Sequence, residues 1–138
     1  MRLFFITIPF LLFNPHLTGR IALHDQAASG GQELYNKYCL ACHQTDGSGV
    51  PGMFPPLVKT EKVLGPAGEL VKIILTGLSG TIEIGDEMYD SAMPALDYLS
   101  DKDISAILTF VRNNWGNRAK PVSPKEVAKV RSEIKKTP

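Results

Sequence analysis

The sequence predicts an all-α domain, on three observations. Apolar residues recur at helical spacing in four segments, Gly30–His43, Gly65–Gly80, Ser100–Gly116 and Ser123–Lys136. Strand-like alternation is confined to Ile82 and Ile84, enough for a short hairpin in a loop. No strand–helix–strand pattern accompanies them.

In chain order, "GGQELYNKYCLACH" reads as a helix, with Leu34, Tyr35 and Tyr38 on one face. "QTDGSGVPGMFPPLV" follows, rich in Gly and Pro and therefore loop. "GPAGELVKIILTGLSG" carries Leu70, Ile73 and Ile74 and stops at Gly77. The segment "GTIEIGDEMYDSAMPAL" reads as loop around the brief alternation. In "SDKDISAILTFVRNNWG", Ser100 is the N-cap, and Asp101 and Asp103 lie where the helix dipole favours acids. Ile104, Ile107, Leu108, Val111 and Trp115 form its apolar stripe, and Gly116 is the expected stop. The final segment has Ser123 as cap, Pro124 at the first helical position and Glu126 completing a capping box. Its stripe is only Val127, Val130 and Ile134, so it is expected to be an appended helix outside the core.

The 138 residues suit one domain, with 43% apolar and 21% charged residues, as in soluble globular proteins. A net charge of +1 gives no case for nucleic-acid binding. The charge is uneven. Gly30 to Gly116 holds six basic and eleven acidic residues, net −5, and Asn117 to Pro138 holds seven basic and two acidic, net +5. At the N-terminus one Arg precedes an apolar run from Leu3 to Phe13, of signal-peptide length and short for a membrane span. Small residues suited to cleavage stand at Ala27–Gly30. The expected organisation is a signal peptide or N-terminal anchor over 1–29, a domain over 30–117 and a basic helical tail over 118–138. The protein is then exported, touching the membrane only if the leader stays uncleaved.

Both cysteines of the chain fall in "CLACH", Cys39 to His43. Three residues apart on a helical turn, Cys39 and Cys42 face one side. A redox Cys-x-x-Cys needs no histidine and usually accompanies the absent strand–helix–strand pattern. A structural zinc site needs four ligands where this segment offers three, and the other histidines, His16 and His24, fall in the leader. A structural disulfide is the plain alternative in an exported chain. The fourth reading is covalent haem attachment: each thiol bonds a vinyl group, and His43 becomes an axial ligand. For the sixth position the mature chain offers Met53, Met88 and Met93. Met53 stands ten residues past His43, on the histidine side. Met93 precedes Pro94, which limits the loop's backbone freedom, so Met93 is the preferred ligand and Met88 the second choice.

With "CLACH", "GVPGMFPPL", "MPAL" and "LTFVRNNWGN" in that order, the chain resembles the class I monohaem cytochromes c of bacteria, over roughly Gly31 to Asn117. The resemblance implies three to five short helices wrapped around one covalently attached haem c. It implies that Gly31 and Tyr35 cross Ile107 and Phe110 of the last helix of that fold. It also implies that the Pro55 carbonyl, or that of Pro56, accepts a hydrogen bond from His43, and that Leu57 packs on the haem. The implied haem-site residues are Cys39, Cys42, His43, Pro55, Leu57 and Met93, with His43 and Met93 on the iron. The implied function is one-electron transfer between periplasmic redox enzymes, without catalytic residues. A dedicated cytochrome subunit of a dehydrogenase or oxidase is the alternative; a gas-sensing or catalytic haem protein would need an open sixth position. The expected partners are redox enzymes. The basic tail suggests a docking element for such a partner, a helix lying back on the acidic body, or a solvated face.

Overall fold

The computed structural model of the chain describes residues 30–136. The leader, with His16 and His24, lies outside them. Helix α1 covers 30–38, and after a break at Cys39 a single turn, α2 (Leu40–His43), continues its direction. Hydrogen bonds run through the break: Cys39 N–H donates to the Tyr35 carbonyl at 2.8 Å and His43 N–H to that of Cys39 at 2.9 Å. Gln44, at φ 62°, ends the run.

α1 meets α5 (Asp101–Asn113) through a glycine. A β-carbon on Gly31 would lie 2.9 Å from Phe110 Cβ and run into the Ala106 carbonyl, so this approach admits no side chain. Tyr35 and Ile107 are buried here, and the Tyr35 and Phe110 rings meet at a tilt of 44° with centroids 5.4 Å apart. α5 starts as its sequence reads, with Ser100 and Asp103 forming a reciprocal capping box.

α5 ends at Asn113, short of the expected Gly116. The returning chain takes its last carbonyls. Buried Asn117 donates Nδ2–H to Val111 O at 2.7 Å, and Ala119 N–H donates to Arg112 O at 3.1 Å. Trp115 leaves the helix at φ 50° yet keeps its place against Tyr35 and Phe110, at ring distances of 5.1 and 5.4 Å.

Between these helices lie one unpredicted turn, α3 (Glu61–Leu64), capped by Thr60, and α4 (Ala67–Thr76), which buries Leu70, Val71, Ile74 and Leu75 and stops at Gly77. The Ile82–Ile84 alternation forms a hairpin of β1 (Ile82–Ile84) and β2 (Glu87–Tyr89), antiparallel, with Ile82 opposite Tyr89 and Glu83 opposite Met88.

α6 (Pro124–Ile134) begins with the expected Ser123–Glu126 box. The expectation that it stands outside the core fails. α6 packs against both α4 and α5; Val122 and Val127 belong to the central cluster, and Val130 and Ile134 pack on it. Three apolar positions suffice because they enter a cleft already formed by two helices. The connection is held as firmly: Ser105 Oγ–H donates to Val122 O at 2.7 Å. Arg112, itself buried, donates to the carbonyls of Val63, Gly65 and Lys120.

Candidate functional site

α2 and the loop after it present the ring of His43. Its Nδ1 lies 3.0 Å from the Pro55 carbonyl. A carbonyl only accepts, so Nδ1 carries the proton and Nε2 keeps its lone pair. Pro55, not Pro56, makes this bond. Loop 44–57 is bound around the ring: Gly49 N–H donates to His43 O at 3.1 Å and Leu57 N–H to Gly47 O at 2.7 Å. Gly47 lies flat on Trp115, where a β-carbon would come within 2.6 Å of the indole. Burial lowers the His43 pKa, with the Pro55 hydrogen bond acting in the opposite direction.

His43 opens onto a slot of two lobes. Cys39, His43, Pro55, Leu78, Ile82 and Met93 line both lobes. Leu57 lines the first lobe and Cys42 the second. The six residues singled out from the sequence therefore gather at one slot. No disulfide joins Cys39 and Cys42.

The sheet register separates the methionines. Ile82, Ile84 and Tyr89 border the slot, whereas Met88 pairs with Glu83 on the other face and is 54% exposed. Met53 is 50% exposed. Met93 alone of the three lines the slot. It is held by a two-bond bridge with Leu78, at 2.8 and 3.0 Å, beside Gly77, where a β-carbon would sit 2.5 Å from the Met93 carbonyl. The remaining wall comes from Val63, Leu70, Ile73, Ile74, Leu108 and Val111. Sequence reading placed several of these on helices without seeing that they face the slot; for Ile82 and Ile84 the alternation was the available signal.

A slot lined by two cysteines, an imidazole, a thioether and mostly apolar side chains suits a largely apolar ring carrying a metal. Comparison with known proteins agrees. The family model described as Cytochrome c matches residues 28–115. The chain is 35% identical over 126 residues to "Cytochrome c-552" of Thermus thermophilus, covering 85% of this chain and 82% of that protein. The chain belongs to the cytochrome c family. Its cofactor is accordingly a covalently bound haem c, and its function is electron transfer by that haem. The cytochrome is also 33% identical over 124 residues to the "Alcohol dehydrogenase (quinone), cytochrome c subunit" of Gluconacetobacter polyoxogenes. It is 37% identical over 112 residues to the "Gluconate 2-dehydrogenase cytochrome c subunit" of Pantoea cypripedii. These matches cover 86% and 75% of the cytochrome but only 26% and 24% of the two subunits. Among the described residues, no helix is long and apolar enough to cross a membrane.

Proposed function

We propose that Cys39 and Cys42 hold the haem by thioether bonds, that His43 Nε2 and Met93 sulfur are its axial ligands, and that Leu57 packs on it. When bound, the haem supplies a one-electron ferric–ferrous couple. The chain's part is orientation and exclusion of water. Pro55 fixes the tautomer and tilt of His43 and raises its basicity. The Leu78 bridge holds Met93 opposite, and the apolar walls keep the local dielectric low. The observation that carries this reading is that His43 and Met93 line the same two lobes while Met53 and Met88 face solvent.

The ferric protein should show the weak near-infrared sulfur-to-iron band. Met93→Ala should abolish it, lower the potential and admit carbon monoxide to the reduced iron; Met88→Ala should leave all three unchanged. The reverse pattern would reassign the ligand.

The proposed setting is the periplasm, with 1–29 as signal peptide or anchor, 30–117 as the haem domain and 118–138 as its C-terminal extension. The partners are redox enzymes, between which the cytochrome shuttles electrons. The dehydrogenase-subunit relatives favour a second reading, a dedicated cytochrome subunit of such an enzyme. Co-purification with a dehydrogenase at stoichiometric amounts supports the second; its absence supports the shuttle.

A further inference from the structure

The methionine loop is held at three points. The first is the bridge between Met93 and Leu78, and the second is Leu96 N–H donating to Ile74 O at 2.8 Å. The third comes from α6, beyond the 28–115 span of the family match. Arg131 donates Nη1–H to Asp97 O at 2.7 Å, Nη2–H to Leu99 O at 2.8 Å and Nε–H to Asp101 Oδ1 at 2.9 Å. One guanidinium thus ties together the chain between the methionine loop and the start of α5. Its side chain is 22% exposed, and α6 is fixed beneath it by fully buried Val127. The fork geometry matters: a planar group with several donors reaches three acceptors at once, which an ammonium cannot do.

We infer that Arg131 is a positioning residue for Met93, closing the C-terminal end of the methionine loop and setting how readily Met93 leaves the iron. The inference rests on Met93 being the sixth ligand. Departure of Met93 requires the loop to open locally. With Arg131 in place, the chain from Asp97 onward stays bound, and little backbone can join the opening. Without it, the stretch from Asp97 to Asp101 keeps the Leu96–Ile74 bond and the burial of Leu96 and Leu99 but loses three hydrogen bonds, so more backbone can join the opening, the open state gains conformational freedom, and its population rises. A ligand that binds only the open state then binds more tightly in the same proportion.

The test is imidazole titration of the ferric holoprotein, far below its unfolding temperature, followed by the shift of the main visible haem absorption band. Arg131→Ala should bind imidazole about tenfold more tightly than the parent, the change expected when charge-assisted hydrogen bonds are lost. Arg131→Lys should show a smaller gain, and it serves as the informative variant if Arg131→Ala does not fold. Gly31→Ala is the control for general destabilisation. It should lower the melting temperature yet change imidazole affinity less than about twofold, since the atoms its β-carbon meets belong to Ala106 and Phe110, outside the methionine loop and α6. Parental affinity in both Arg131 variants would overturn the inference, as would an equal gain in Gly31→Ala. Met93→Ala separates the two layers. If it binds imidazole no more tightly than the parent, the ligand assignment falls and the inference with it. If it gains strongly while the Arg131 variants do not, the ligand assignment stands and the role of Arg131 is refuted.

Discussion

Gly31 shows how one missing side chain sets the fold. Its contact with Ala106 and Phe110 brings α1 and α5 to a separation that any β-carbon would prevent. Gly31→Ala should therefore destabilise the protein by about 1–3 kcal/mol, the usual effect of overpacking. A denaturant midpoint on the holoprotein measures it; a parental midpoint would mean that α5 yields without strain. At this scale the sequence was informative wherever chemistry is local. Cys39, Cys42 and His43 were singled out by spacing and Met93 by the proline behind it, and all four line the slot. The choice of Pro55 over Pro56 was not legible, because it depends on the path of a twelve-residue loop. Nor was the solvent-facing side of Met88, which follows from its pairing with Glu83.

Among the elements, α6 departs most from expectation. Its caps were legible because capping is a contact between neighbours, Ser123 with Glu126. Its burial was not, because the cleft that receives Val127 is built by α4 and α5, and Arg131 finds its acceptors 30 to 34 residues away. Val127→Ala should lower stability by about 1–3 kcal/mol. Truncation after Asn117 should lower the melting temperature more, since it removes Val122 as well. An unchanged melting temperature on truncation would return α6 to the status of a solvated appendage. The cap also carries a pH dependence. The hydroxyl and N–H of Ser123 hold the Glu126 carboxyl below its ordinary value of 4.5. Its contribution is thus present above that value and lost as pH falls through the folded value. Glu126→Gln should be less stable than the parent at pH 7, and the gap should close below pH 4.5. A gap independent of pH would show that the charge contributes nothing.

For the molecule as a whole, the layout follows from enclosing one apolar slot with little chain. α1 and α5 cross on one side, α4 and the hairpin close the other, and α6 braces α4 against α5. Charge is distributed over this frame unevenly. Residues 73–97, which include the hairpin and the methionine loop, contain five acidic residues and no basic one, while residues 117–138 hold seven basic and two acidic. Such an uneven charge acts on encounter rates with a charged partner more than on affinity. The helical class was legible because periodicity reports each helix on its own; the slot was not, because its walls come from residues spread between Cys39 and Val111. The slot's proposed occupant is a haem bonded to Cys39 and Cys42. Extraction of the purified holoprotein with acidified acetone checks that bond. The haem should stay with the protein, and be released when Cys39 and Cys42 are both replaced by alanine. Haem passing into the acetone from the unaltered protein would show that it is not covalently held.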